Sequence, residues 1–261
     1  MKTKLVLILL ASLLTACAEL EVITSNPRVE PPETGGQARR WMLGAVSSSA
    51  HRYTATQSAA ARPPDLSHPE VKHSQDFHPT GYYSATKALD LGLEINVLGG
   101  SISAMSKLQL HGEPLSESKA GNLPIAVFAR LGRAAGDNKG DQSETFGAGG
   151  YPWSAEVTNT FATAGVSAGY RTNDWLLIYG GFAIGKYWAD LSIDQKASNN
   201  GASPAASYSK LATGEGWTIS AGSHFNLPHF QIYAGADFSR IDYNDGAPDN
   251  QTSLHIGTFT K

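Results

Sequence analysis

Leu89-Asp90-Leu91-Gly92-Leu93-Glu94-Ile95-Asn96-Val97 alternates aliphatic and polar residues without a break. Successive side chains of a strand point to opposite faces, so one face of this segment meets apolar surroundings and the other a polar space. Gly99-Gly100 then signals a turn, and the alternation resumes. Ile102, Ala104, Leu108 and Leu110 share one face, with Ser103, Lys107, Gln109 and His111 on the other. Leu123, Ile125, Val127, Ala129 and Leu131 predict a third strand with Arg130 on its opposite face. Further strands are expected over 156–171, from Trp175 to Ile193, at 217–225, at 230–238 and at 252–260. Both faces of the Trp175–Ile193 strand are fairly apolar, so its lipid side stays open.

These segments run to about nine residues or more, the length a tilted strand needs to cross a bilayer. Thr172-Asn173-Asp174 and Asn226-Leu227-Pro228 are tight connections, whereas polar loops at 134–154, 194–206 and 244–251 are longer. Outer-membrane barrels have short periplasmic turns and long external loops. The expected fold is therefore all-β: an antiparallel up-and-down barrel of about eight strands over residues 86–261. Two alternatives are a ten-stranded barrel and a soluble β-barrel or sandwich tethered by lipid. The turn at 98–101 is tight although its place in the alternation makes it external.

Composition fits this class. Gly numbers 27 residues and charged residues make up only 16% of the chain, which suits crowded, twisted strands. Residues 1–16 read as a signal peptide: Lys2 and Lys4 precede an apolar run from Leu5 to Leu14, too short to span a bilayer as a helix. Removing those two lysines from 20 basic residues leaves 18 against 23 acidic ones, a formal charge of −5. A mildly acidic chain without a basic run has no electrostatic footprint for nucleic acid.

Leu14-Thr15-Ala16-Cys17, which holds the single cysteine, closely resembles the lipobox of bacterial lipoproteins. The resemblance implies cleavage between Ala16 and Cys17, a diacylglyceryl group on the Cys17 sulfur and acylation of the new amine. Beyond that covalent lipid no cofactor is expected, and no thiol remains for disulfides or thiolate metal sites. Ala18-Glu19 lacks the aspartate of an inner-membrane retention signal, so the implied address is the outer membrane of a Gram-negative cell, lipid-anchored. Residues 17–85 are rich in Pro, Ser, Ala and Thr and read as a lipidated tether, with a possible extra strand at 40–53. An anchor in the inner leaflet would then lie near the periplasmic start of the first barrel strand.

Gly169-Tyr170-Arg171-Thr172-Asn173-Asp174-Trp175-Leu176-Leu177-Ile178-Tyr179-Gly180-Gly181 resembles the turn region of small bacterial outer-membrane barrels of the opacity-protein type. In that family a strand ending in Gly-Tyr passes through a polar turn into an aromatic-led strand with Gly pairs. The resemblance implies a structural or surface-interaction role, with outer-membrane lipid as surroundings and envelope or host-surface proteins as partners for the external loops. A small-solute channel and a membrane-embedded lipid hydrolase are the alternatives.

Chemistry-bearing candidates are few. His68, His73 and His78 recur every five residues, a spacing that puts successive imidazoles on opposite strand faces, so a solvated tether is expected rather than a zinc site. His224 and His229 flank a turn beside Ser223, without the spacing of a lipid A deacylase. Asp137, Asp141 and Glu144 lack the ligand order of an EF-hand, and Gly147, Gly149 and Gly150 precede a strand rather than a helix. No catalytic and no metal residues are therefore assigned. Asp90, Glu94, Lys107, Arg130, Lys186, Asp190, His224 and Asp237 are expected on the polar face. Glu94 and Arg130 should meet across a narrow lumen, whereas Arg171, at a turn, should matter less. Trp175, Tyr179, Tyr187, Trp188, Trp217, Tyr233 and Tyr243 are candidates for interfacial girdles or for a core.

Overall fold

A computed structural model describes residues 19–56, 70–96, 100–140, 153–195, 205–244 and 248–260. Its eleven strands are β1 (Glu19–Ser25), β2 (Arg40–Thr56), β3 (Glu70–Ser84), β4 (Leu89–Asn96), β5 (Ser101–His111), β6 (Ile125–Gly140), β7 (Trp153–Asn173), β8 (Leu176–Gln195), β9 (Ala206–Asn226), β10 (Phe230–Tyr243) and β11 (Asp249–Thr260). Strands β2 to β11 pair antiparallel in sequence order, and β11 closes on β2 through Ile256↔Ser47 to Phe259↔Gly44. The barrel is thus the ten-stranded alternative of the expected all-β fold rather than the eight-stranded form. Its first two strands come from the Pro- and Ser-rich stretch: β2 lies where an extra strand is expected at 40–53, and β3 forms in what composition reads as a tether, with Pro79 facing outward and not interrupting the pairing to β2. Along the four β11–β2 pairs closure removes the sheet edge that would otherwise face lipid, where an unsatisfied backbone group costs several kcal/mol.

The direction of the side chains settles between a membrane barrel and a soluble one. Leu91, Leu93, Ile95, Ile125, Val127 and Leu131 point outward and stand exposed, Leu93 by 55%, and Ile232 is half-exposed on the same outer face. Glu94 and Arg130 point inward, exposed by 2% and 5%. A soluble barrel or sandwich would enclose those aliphatics, so that alternative fails. One rim carries the short turns at 85–88, 174–175 and 227–229 and the longer connection at 112–124. The opposite rim carries the connections at 57–69, 97–100, 141–152, 196–205 and 244–248. We call them the turn rim and the loop rim. Gly100 adopts a left-handed φ of 61°, which admits the tight turn on the loop rim. Trp41 packs tilted against Tyr83, and Trp175 stacks on Phe225, with ring centroids at 5.1 and 6.1 Å. These outward pairs, with Tyr170 and Phe230, girdle the turn rim.

Strands β7, β8 and β9 are too long for the bilayer alone, and their pattern changes phase partway up. On β8 the outward residues are Leu176, Ile178, Phe182 and Ile184, followed by Lys186, Asp190 and Asp194. Its inward residues become apolar where the outward ones turn polar: Tyr187, Ala189, Leu191 and Ile193 are all buried. They join Val22, Tyr53, Val157, Phe161, Ile241 and Tyr243 in one cluster. The lower barrel is apolar outside and charged inside; the upper barrel has the inverse polarity of a soluble domain. This inversion explains why both faces of β8 look apolar in sequence. It also corrects two expectations, since Lys186 and Asp190 lie on the outer surface.

Candidate functional site

Asp76, Asp90, Glu94, Lys107, Arg130, Arg171 and Asp237 of the wall converge on the lumen, and the amino-terminal segment runs through it. Chain β1 pairs with the upper half of β2, from Glu19↔Thr56 at the loop rim to Ser25↔Ala50. There it packs against β6 and β7 on the inside of the barrel. Ser48, Ser49, Ala50 and His51 are buried in succession, which places both faces of β2 against protein at this level. From Asn26 the chain descends as an extended strap to Gly36, and β2 begins at Arg40 on the turn rim. An eight-stranded barrel is just filled by its own side chains, and the bore widens with strand number. Two further strands leave room for one extended chain.

Pro27, Pro31 and Pro32 suit that position, because a proline has no N–H to leave unpaired in a buried bore. Three of the strap's backbone donors pair with the wall. Asn26 N donates to the Ser49 carbonyl at 3.2 Å, Thr34 N to Gln109 Oε1 at 2.8 Å and Gly35 N to Asp90 Oδ2 at 3.0 Å. Gly181 and Gly185 on β8 present no side chain to the bore, and Val29 and Pro27 lie against them.

Charge pairing is densest where the strap crosses the membrane zone. Arg28 Nη2 donates to Glu30 Oε1 at 2.7 Å and to Glu94 Oε2 at 2.9 Å. Arg130 lies 3.2 Å from Glu30 and 3.4 Å from Glu94, so the expected Glu94–Arg130 contact across the lumen exists, with two strap residues completing it. Tyr82 Oη donates to Glu30 Oε2 at 2.8 Å, and His78 approaches both Glu94 and Asp76 at 3.5 Å. Lower down, Glu33 accepts from Arg171 Nε at 2.9 Å, from Arg171 Nη2 and from Asn122 Nδ2 at 3.0 Å. Lys107 Nζ donates to the Glu33 carbonyl at 2.7 Å and lies 3.6 Å from Asp90. Higher up, Asn26 bridges Gln251 at 2.9 Å, Ser239 at 3.2 Å and His51 at 2.9 Å. A separate chain links Tyr179 to His255 at 3.0 Å and His255 to Asp237 at 2.9 Å, with Ser220 donating to Asp237.

The sequence-derived candidates divide accordingly. Asp90, Glu94, Lys107, Arg130, His224 and Asp237 face the lumen. Arg171 is not a peripheral turn residue: β7 continues to Asn173, and the Arg171 side chain is wholly buried against the strap. His78 is likewise buried rather than solvated, while His73 is exposed and His68 lies outside the described residues. Of the aromatics, Tyr179, Tyr187, Tyr233 and Tyr243 are luminal, and Trp175, Trp188 and Trp217 face outward. His224 points inward and Ser223 outward, so these neighbours cannot form a nucleophile–base pair, and His229 is exposed beyond the strand end. Asp137 is exposed on β6; Cys17, Asp141, Glu144, Gly147, Gly149 and Gly150 lie outside the described residues. Sequence reasoning missed Arg28, Glu30 and Glu33. Their signal was opposite charges interleaved with prolines, which a solvated tether shows equally well.

Comparison with curated protein sequences finds no match. Among solved structures the chain is similar to the attachment invasion locus protein Ail of Yersinia pestis, at 11% identity over 86% of this chain and 95% of that one, with a TM-score of 0.29. It is also similar to the outer membrane protease OmpT of Escherichia coli, at 9% identity over 94% and 93%, with a TM-score of 0.37. A third is the monoaromatic hydrocarbon channel CymD, at 10% identity over 94% and 87%, with a TM-score of 0.24. The model of the outer membrane protein beta-barrel domain matches residues 54–259, most of the closed wall. With that match and a closed wall that is aliphatic outside and charged within, the chain belongs to the outer membrane protein beta-barrel domain family.

Proposed function

We propose that this outer-membrane barrel is a closed, lipid-anchored scaffold that presents its loop rim to envelope or host-surface proteins, rather than a conduit. One observation carries the reading: the bore is occupied by the chain's own residues 26–36, whose carboxylates pair with wall cations. A solute pathway would need those pairs broken and the strap displaced. Rigid barrels commonly carry binding in their loops, and the wall of β6 to β9 lifts the loop rim clear of the bilayer. Cys17 is the acyl site in this reading, and outer-membrane lipid is the surrounding partner. The hydrolase reading finds no support at Ser223 and His224, which lie on opposite faces.

Planar-bilayer recording of the purified full-length protein tests the closed state. No discrete conductance steps are expected, and reproducible open-channel steps would overturn it. Metabolic palmitate labelling tests the anchor: label on the wild type should vanish in Cys17→Ala, and equal labelling of both would remove the lipid from the account.

A further inference from the structure

The direction of the strap fixes the side of the membrane on which the amino terminus lies. Strand β1 starts at the loop rim, where Glu19 pairs with Thr56, and runs toward the turn rim. The strap continues downward through the bore, and β2 then climbs back up the wall from Arg40. The chain therefore enters the barrel from the loop side and crosses the full membrane thickness inside the lumen before the first wall strand begins. Short turns mark the turn rim as periplasmic and the longer connections mark the loop rim as external, which makes the entry point external.

We infer that the barrel closes around its own amino-terminal strap, so that the amino terminus is displayed at the cell surface and an acyl anchor on Cys17 lies on the outer-leaflet side. The last clause rests on the lipidation proposed above; the threading does not. Cys17 stands two residues before Glu19, and two residues reach no more than about 7 Å. An anchor in the inner leaflet, the arrangement expected from sequence, would have to pull β1 off β2 and withdraw the strap. Withdrawal would separate Asn26 from Gln251 and His51, Arg28 from Glu94, and Glu33 from Arg171. Inner-leaflet anchoring and the filled bore are mutually exclusive.

The experiment compares two positions in the full-length chain on intact and permeabilised cells. A short epitope is inserted between Ala18 and Glu19 in one variant and between Leu227 and Pro228, on the turn rim, in the other. Antibody should reach the first on intact cells and the second only after permeabilisation. A first epitope hidden until permeabilisation overturns the threading, and so does a second epitope reached on intact cells. Should an insertion prevent the heat-modifiable shift of a folded barrel, Glu21→Cys and Pro228→Cys replace the pair, read with a membrane-impermeant maleimide over the Cys17-bearing wild type. Palmitate labelling of the same cells keeps the two ideas apart. A surface-exposed terminus without palmitate preserves the threading and removes the lipid; a labelled but hidden terminus does the reverse.

Discussion

Glu33 receives a two-pronged guanidinium from Arg171, with both groups out of contact with solvent, and an amide from the half-buried Asn122. Bidentate pairing of this kind is strong and geometrically specific. Removing one member of a buried pair leaves the other charge uncompensated, at a cost of about 3–5 kcal/mol. Arg130 stands differently. Its carboxylates, Glu30 and Glu94, are both also held by Arg28 at 2.7 and 2.9 Å. We expect Arg171→Ala to lower the urea midpoint of the heat-modifiable shift more than Arg130→Ala, the reverse of the order expected when Arg171 is taken as a turn residue. Equal midpoints for Arg171→Ala and wild type would show that Glu33 finds another cation. Arg171→Lys should recover only part of the loss, because a lysine cannot reproduce the planar fork.

At the level of elements, the strands were legible because each buries one face, and alternation records that directly. Leu91, Leu93 and Ile95 against Asp90, Glu94 and Asn96 needed no structure to interpret. The β2–β3 pair was harder to read: both faces of upper β2 are buried, so Ser48-Ser49-Ala50-His51 shows no alternation. The strap itself has no repeat, since an extended chain surrounded by wall on every side has no preferred face. What the sequence does hold is the strap's imprint on β8. Gly181, Ala183 and Gly185 form a shallow inner groove in which Val29 and Pro27 sit. A Cβ at position 181 would lie 2.6 Å from Val29 Cγ1 and closer still to the Val166 carbonyl. Overpacking of this sort costs about 1–3 kcal/mol. Gly181→Val should therefore lower the urea midpoint and expose the strap to added protease at its Arg28 and Arg39 sites. A variant as protease-resistant as wild type would place the strap elsewhere.

For the whole molecule, the change of polarity between lower and upper barrel divides the work of holding it together. Within the bilayer the wall gains little from burying apolar side chains against its neighbours, because lipid is as apolar as they are. Stability there comes from closed backbone pairing and from the luminal ion pairs. Above the bilayer, the cluster around Tyr187, Phe161 and Tyr243 supplies an ordinary hydrophobic core. The amino-terminal segment contributes to both halves, through Val22 above and Arg28, Glu30 and Glu33 below. The β2–β11 seam that closes the wall uses Gly44 to Ser47 and Ile256 to Phe259, none of them from that segment. Deleting residues 19–36 while retaining 1–18 should consequently leave a wall able to close, with a bore lined by Glu94, Arg130, Lys107, Asp90 and Arg171 and open to water. We expect that variant to fold with a reduced urea midpoint and to show discrete conductance steps in planar bilayers, where none is expected of the full-length protein. A folded deletion variant that stays electrically silent would mean that wall side chains alone seal the ten-stranded bore, and that the strap serves stability without serving as the plug.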